Sequence, residues 1–266
     1  MELTRREMLR LGAGALLAYG LWPGRLSASD APGDFTFIAV NDLHYRDEGC
    51  VPWFQNVVRQ MKASAPDAEF CLLGGDQADE GEPAQLANSR EIFLGLGMPL
   101  HAVVGNHDYF KDSTRTAYER VFPGQINYAF EHRGWQFLAL DTTQGLTAYN
   151  TAIPADTLAW LDANLPKLDR RKPTVILTHF PLGQNVFARP RNADDLLNRF
   201  LDINLQAVFS GHYHGFTERA VRQAALTTDR CCSRVRSNHD GSKEKGWFVC
   251  KASGGRISRK FVAFNA

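Results

Sequence analysis

The feature that most constrains this chain is a set of five short apolar runs, each of which ends in a cluster of polar side chains. The runs are Phe35–Val40, Glu69–Leu73, Leu100–Val104, Thr174–Thr178 and Gln206–Ser210. The clusters that follow them are, in the same order, Asn41-Asp42-Leu43-His44, Gly74-Gly75-Asp76, Gly105-Asn106-His107-Asp108, His179 and Gly211-His212-Tyr213-His214. Short apolar runs of this kind predict buried strands. Because the carboxyl ends of strands in an open α/β sheet share one edge, we expect the five clusters to converge there.

The sequence between and after these runs predicts an α/β fold in one domain, residues 33–266. Candidate helices at Val51–Ala63, Pro83–Leu96 and Pro154–Leu165 alternate with the strands, as in βαβ units. Two apolar runs, Asn127–Glu131 and Trp135–Leu140, flank Arg133-Gly134 and predict a β-hairpin. The tail is strand-rich. Its candidate strands are Phe216–Arg222, Ala225–Thr228, Trp247–Lys251 and Arg256–Phe264.

The side chains expected to converge are those of a metal site. They include two aspartates, one asparagine and five histidines, a mixture that suits Zn²⁺, Mn²⁺ or iron. The absence of thiolates in the clusters argues against a structural zinc site. Seven of these side chains, taken as ligands, exceed the need of one tetrahedral ion and fit two ions that share a carboxylate. The remaining histidines, His101, His132 and His239, follow no such strand, and we assign them no role in the site.

The ordered motifs Asp42-Leu43-His44, Gly75-Asp76, Gly105-Asn106-His107-Asp108, His179 and Gly211-His212-Tyr213-His214 resemble those of the calcineurin-like metallophosphoesterase superfamily. The resemblance implies two packed mixed β-sheets flanked by helices, a four-layer αββα sandwich. Purple acid phosphatases are similar but have glycine at the position of His44 and use a tyrosine ligand. His44 therefore indicates the phosphodiesterase-like branch, which includes the class III cyclic-nucleotide phosphodiesterases.

That resemblance also implies a role for each polar residue. One metal would be held by Asp42, His44, Asp76 and His214, and the other by Asp76, Asn106, His179 and His212, with Asp76 shared. The two ions would be divalent or mixed-valence Fe, Mn or Zn, and a hydroxide bridging them would attack phosphorus in line. His107, which is not a ligand, would stabilise the transition state or protonate the leaving oxygen. Asp108 would orient His107.

The predicted function is metal-dependent hydrolysis of a small phosphoester, with a diester as the first choice. Two alternatives remain open: a phosphomonoesterase or phospholipid-head-group hydrolase using the same site, and a catalytically silent scaffold of the same fold. We expect specificity to come from Tyr45-Arg46, the loop Gly183–Asn192 and residues near Tyr213. Within that loop, Arg189 and Arg191 are candidates for a second phosphate or a carboxylate, with surface solvation as the alternative.

Residues 1–30 predict a twin-arginine export signal. Thr4-Arg5-Arg6 leads into Met8-Leu9-Arg10, an apolar stretch runs from Leu11 to Trp22, and small residues follow. The export machinery is therefore an expected partner, and a periplasmic or secreted location is expected. No cysteine lies near the expected cleavage point, and no run reaches the ~18 apolar residues of a membrane span. We accordingly expect no stable membrane anchor.

Charge and cysteine content add two expectations. The formal net charge of +1 gives no reason to expect nucleic acid as a partner. Residues 216–260 nevertheless hold eleven Lys and Arg against four Asp and Glu, and this basic segment is either a solvated face or an attractor of anionic substrate. Among the five cysteines, one disulfide within Cys231, Cys232 and Cys250 is compatible with an oxidising compartment.

Overall fold

Two β-sheets form the centre of the protein. The computed structural model describes residues 31–111 and 113–266. The first sheet has the strand order β11-β10-β1-β2-β3 and the second has the order β4-β5-β6-β7-β9-β8. In the first sheet β1 is Phe35–Val40, β2 Ala68–Leu73, β3 Leu100–Ala102, β10 Gly246–Ser253 and β11 Arg256–Ala263. In the second, β4 is Tyr128–His132, β5 Trp135–Leu140, β6 Thr174–Thr178, β7 Leu205–Ser210, β8 Thr217–Val221 and β9 Ala224–Thr228.

Helices cover the outer face of each sheet. They are α1 Val51–Ser64, α2 Pro83–Leu94, α3 Thr116–Val121, α4 Ala155–Asn164 and α5 Ala193–Asn198. One apolar core lies between the two sheets and includes Phe37, Phe70 and Phe137. A second core joins the first sheet to α1, α2 and α3, and a third joins the second sheet to α4 and α5. The expected four-layer αββα sandwich is therefore confirmed.

The local sequence accounts for these elements. Strand β1 is buried at all six positions, as expected for a strand with an apolar layer on each side. In the predicted hairpin of β4 and β5, Arg133 and Gly134 have φ of 46° and 80°, the left-handed pair that a tight two-residue turn requires. Helices α1 and α2 each have proline in their first turn, where its missing N–H is tolerated.

One expectation about the architecture is wrong. The five chemistry-bearing strands do not share the edge of a single open sheet: β1, β2 and β3 lie in the first sheet, whereas β6 and β7 lie in the second. The first sheet is also mixed, because β10 pairs antiparallel with β1. The clusters still converge, because the carboxyl ends of parallel strands in both packed sheets point to the same end of the sandwich.

Two further observations bear on the sequence expectations. All five cysteines lie within the described residues and are buried free thiols, so the disulfide considered for Cys231, Cys232 and Cys250 is not formed. Among residues 31–111 and 113–266, no helix combines the length and apolar character needed to cross a bilayer. The predicted export signal, residues 1–30, lies outside the described residues.

Candidate metal centre

The seven predicted ligands come together at one end of the sandwich. Asp42 and His44 follow β1, Asp76 follows β2, His179 follows β6, and His212 and His214 follow β7. Asn106 begins a single 3₁₀ turn, Asn106–Asp108, after β3. Five segments that are distant in the chain thus meet in one place. Of the seven residues, all but His212 are nearly or completely buried.

The first set of side chains is Asp42, His44, Asp76 and His214, whose ligand-type atoms all lie within 4.8 Å of one another. Nε2 of His44 is 3.1 Å from Nε2 of His214. Nε2 of His214 is 3.3 Å from Oδ1 of Asp42, and Nε2 of His44 is 3.5 Å from Oδ2 of Asp76. Two carboxylates and two ring nitrogens therefore point at one small volume.

The second set is Asp76, Asn106, His179 and His212. Nε2 of His179 is 3.3 Å from Oδ1 of Asp76 and 3.1 Å from Oδ1 of Asn106. Nδ1 of His212 is 3.0 Å from the same Asn106 oxygen. Oδ1 of Asp76 thus faces this set, whereas Oδ2 faces the first, so one carboxylate spans both.

The histidines are oriented as metal ligands usually are, with one ring nitrogen held by an acceptor and the other facing the cluster. Nδ1 of His179 donates to the carbonyl of Gly74 at 2.9 Å, and Nδ1 of His214 donates to the carbonyl of Ser237 at 3.1 Å. Nε2 of His212 donates to the carbonyl of Ala148 at 3.0 Å, which leaves Nδ1 as its inward atom. Imidazole, carboxylate and amide donors oriented in this way fit divalent transition metals.

The four histidines differ in the direction of their pKa shifts, because burial dominates at two of them and a neighbouring carboxylate dominates at the other two. Burial lowers the pKa of His44 to about 4 and that of His212 to about 3, which keeps both rings neutral. Burial opposes the charged form of His214 and His179 as well, but the charge of Asp42 raises the pKa of His214 to about 11. In the same way, the charge of Asp76 raises the pKa of His179 to about 9. Without metal, two imidazolium ions balance two carboxylates.

The backbone at the site is unusual. Five of the seven residues have positive φ: Asp42 at 55°, His44 at 48°, Asp76 at 53°, His212 at 65° and His214 at 47°. Such values are rare for residues other than glycine and concentrate at functional sites.

Gly105 in the Asn-His-Asp motif has a packing role. A Cβ there would lie 2.1 Å from Oδ1 of Asp76 and 2.2 Å from its backbone nitrogen. The glycine is thus required for the close approach of two chain segments. Its backbone conformation does not itself require glycine, because its φ is −104°.

His107 lies beside the two sets. Nδ1 of its ring is 2.7 Å from the carbonyl oxygen of Asp79 and must donate to it, so Nε2 is the atom available to a substrate. The ring packs edge-on against that of His44 at a centroid distance of 4.7 Å. The expectation that Asp108 orients His107 is wrong. The Asp108 carboxylate instead accepts hydrogen bonds from the backbone N–H groups of Ala78 and Gly105, at 2.9 and 2.8 Å, and so fixes the loops that carry the ligands.

A cavity of about 340 Å³ opens onto the site. Its described lining includes the site residues His44, Asp76, His107, His212 and His214, together with Ala148, Tyr149, Phe187, Val235, Arg236, Ser237 and His239. His239, to which the sequence assigned no role, stacks on His214 at a centroid distance of 5.1 Å. Arg236 was also missed as an individual residue, although the basic segment 216–260 contains it.

Of the residues expected to determine specificity, some line the cavity and others do not. Tyr45 is buried, and Arg46 pairs with Asp47 at the surface. In the loop 183–192 the guanidinium of Arg189 pairs with Asp194 and donates to the carbonyl of Leu182. The loop reaches the cavity through Phe187 instead, and Tyr213 packs on Phe187.

Comparison with known proteins agrees with this geometry. A probable cyclic nucleotide phosphodiesterase from Synechococcus sp. is 33% identical over 224 residues, which cover 78% of this chain and 84% of that protein. A glycerophosphodiester phosphodiesterase from Enterobacter lignolyticus is 27% identical over 187 residues, covering 65% of this chain and 66% of that protein. A dimetal phosphatase from Danio rerio has the same fold, with a TM-score of 0.63 at 15% identity over 87% of this chain and 99% of that one.

The family assignment rests on the larger part of the chain. The sequence profile of the calcineurin-like phosphoesterases matches residues 35–216, which contain every strand end that contributes to the site. Together with the cluster of potential metal ligands, this match identifies a metal-dependent phosphoester hydrolase. The chain belongs to the calcineurin-like phosphoesterase family.

Proposed function

We propose that the enzyme is a phosphodiesterase that works with two transition-metal ions of the Fe, Mn or Zn type. Asp42, His44, Asp76 and His214 would hold one ion, and Asp76, Asn106, His179 and His212 the other. The observation that carries this assignment is the position of Asp76, whose Oδ2 faces His44 and whose Oδ1 faces His179. A carboxylate shared in this way is the usual basis of a two-metal site.

When bound, the ions supply an activated water and offset the negative charge that develops on the phosphoryl group. The chain supplies the rest of the chemistry. Nδ1 of His107 donates to the carbonyl of Asp79 in either charge state of the ring, so the proton that His107 can give or take resides on Nε2. That atom faces the cavity and would pass the proton to the departing alkoxide oxygen.

Two considerations favour a diester. The two relatives described above carry diesterase names, and the cavity extends beyond the ligands to the side chains of Tyr149, Phe187 and His239. Phosphomonoesters and phospholipid head groups are the competing substrates. A panel that compares bis(p-nitrophenyl) phosphate, a cyclic nucleotide, glycerophosphoethanolamine and p-nitrophenyl phosphate would distinguish them, and a higher kcat/KM for the monoester would reject the diesterase.

The metal assignment is tested by Asp76→Asn. A neutral amide bridges two cations poorly, so the variant should lose both ions, or nearly all activity, by metal analysis of the purified protein. Full occupancy with normal turnover would reject the dinuclear site. Asp162→Asn, which removes a surface carboxylate paired with Arg199, is the matched control and should retain both ions.

We further propose that the enzyme acts outside the cytoplasm after twin-arginine export. The proposal is supported by Thr4-Arg5-Arg6 and by the apolar stretch after Arg10. A site assembled from distant strand ends barely exists before folding, and export of a folded protein would let the metals be chosen in the cytoplasm. Replacing both Arg5 and Arg6 by lysine should retain an active, metal-loaded enzyme in the cytoplasm. Normal export of that variant, or a native enzyme that keeps Met1 in the cytoplasm, would refute this.

A further inference from the structure

Two exposed aromatic side chains, Tyr149 and Phe187, line the cavity. Tyr149 is 58% exposed and Phe187 is 51% exposed, although both are large and one is wholly apolar. Their ring centroids are 5.4 Å apart at an interplanar angle of 64°, and both rings line the cavity that contains the candidate ligands. Exposed aromatic rings on the wall of a binding cavity are typical of ligand contacts.

The backbone holds this pair at a fixed position relative to the metal centre. The carbonyl of Ala148, next to Tyr149, accepts the hydrogen bond from Nε2 of His212 at 3.0 Å. The loops that carry the two rings are joined to each other: the N–H of Arg191 donates to the carbonyl of Thr151 at 2.9 Å. The side-chain amide of Asn192 completes the connection by pairing with both backbone groups of Ile153, at 2.7 and 3.1 Å.

Phe187 is also supported from behind. Val186, the preceding residue, is buried, and Tyr213 packs on Phe187 at a centroid distance of 6.3 Å. A half-exposed ring that is anchored in this way loses little conformational entropy when a second planar group stacks on it.

We propose that Tyr149 and Phe187 form a stacking platform for a planar ring on the substrate, so that the site selects esters of nucleosides or aryl alcohols over esters of glycerol. The inference rests on the proposed function for the position of the phosphate, which the metal centre would hold below the platform. Aromatic stacking on a nucleobase tolerates any base, so the platform would select the class of substrate without selecting one base.

The test uses binding, so that it does not depend on whether the enzyme prefers diesters. The probes are adenosine 5′-monophosphate and glycerol 3-phosphate, which share the phosphomonoester and differ in the base-bearing part. The metal-loaded enzyme should bind the nucleotide more tightly. In Phe187→Ala and Tyr149→Ala that preference should fall by about 5- to 100-fold, the usual effect of removing one stacking partner. The preference for the nucleotide should also fall in Phe187→Leu, because leucine is apolar but not planar. Phe187→Trp should keep that preference.

Leu201→Ala is the matched control, because Leu201 is 50% exposed and lies outside the cavity lining. It should leave the preference unchanged. An unchanged preference in the Tyr149→Ala, Phe187→Ala double variant, with metal content and melting temperature preserved, would overturn the platform. Turnover of the diester panel by the wild type is measured separately: a preference for the monoester would count against the diesterase and leave the platform result to stand by itself.

Discussion

A carboxylate oxygen of Asp79 lies 3.2 Å from Nδ1 of His44, the ring nitrogen opposite the one that faces Asp76 and His214. The same oxygen accepts a hydrogen bond from Nε of Arg236 at 2.7 Å and forms an ion pair with Nη2 at 2.6 Å. Asp79 thus links a candidate ligand to the guanidinium that lines the cavity. Its backbone carbonyl accepts a hydrogen bond from His107, so one residue contacts both histidines.

Asp79→Asn should therefore weaken the metal set that contains His44. Loss of such an outer carboxylate usually costs about 10- to 100-fold in metal affinity or activity. Chelator competition measures the affinity of each ion, and the ion of the His179 set should be retained more strongly. If the two ions were lost equally, the carboxylate would be needed for the fold rather than for His44, and a matching fall in melting temperature would identify that case.

His107→Ala should leave the metals in place and reduce kcat by about 10²–10⁴, the range for general acid catalysis. The His107 ring packs edge-on against His44 and is not one of the seven candidate ligands, so metal content and melting temperature should not change. The loss should be larger for alkyl diesters than for nitrophenyl diesters, whose leaving groups need little protonation. An equal loss for both would indicate that His107 positions the substrate, and loss of metal would mean that it is a ligand.

Metal binding should release protons at pH 7. His214 and His179, with pKa values raised to about 11 and about 9 by Asp42 and Asp76, are protonated in the metal-free protein and must lose a proton to coordinate. His44 and His212 are already neutral and add none. Calorimetry in two buffers of different ionisation enthalpy should detect at least about two protons per chain, calibrated by titration of the same metal into EDTA. Release of none would contradict the two ion pairs.

The same shifts fix the direction of two pH effects. Metal affinity should rise with pH until the two histidines have lost their protons. The stability that their raised pKa values give to the metal-free protein is present below about pH 6.5, the ordinary pKa of histidine, and is lost as the pH rises through about 9 and about 11. Melting temperatures of the metal-free protein between pH 6 and pH 10 measure this loss. A rise in stability over that range would refute it.

Gly105→Ala should abolish metal binding while much of the fold survives. The new Cβ would occupy the position of the Asp76 carboxylate, 2.1 Å from Oδ1, and would force that side chain away. Gly124→Ala is the control: Gly124 has φ of 74° but open space around its Cβ, so the variant should lose about 1–2 kcal/mol of stability and keep its metals. Equal metal loss in both variants would show that a general loss of stability, and not the clash at Asp76, was responsible.

Much of the fold could be predicted because the strands are buried on both faces and end abruptly. Phe35–Val40, Trp135–Leu140 and Thr174–Thr178 are strands with the predicted bounds, since each is a continuous apolar run that a polar or glycine-rich segment interrupts. Short helices were missed. Thr116–Val121 and Ala193–Asn198 have six residues each, too few for an apolar period to be visible. The assignment of strands to two sheets depends on pairings such as that of β1 with β10, far apart in the chain.

Some residues of the candidate site could be predicted from the sequence and others could not. Residues directly after a strand, such as Asp42 and His179, could be found from sequence because their place in the chain fixes their place in the fold. Asp79, Arg236 and His239 could not, because they reach the site from loops whose paths no local pattern specifies. Arg236 had one weak signal, the excess of positive charge in residues 216–260. His239 had none, since it stacks on His214 from a segment 25 positions away.

The positive φ values of five candidate ligands have a consequence for how such a protein can change over generations. A left-handed backbone costs a residue with a side chain roughly 1–2 kcal/mol, and glycine avoids most of that cost. At Asp42, His44, Asp76, His212 and His214, therefore, the loss of a metal-binding side chain to glycine would relieve local strain. Catalysis and an unstrained backbone are opposed at the same five positions. A descendant freed from the need to hydrolyse phosphoesters would be expected to lose these residues early, beginning with His44 and His212, which no ion pair within the site stabilises.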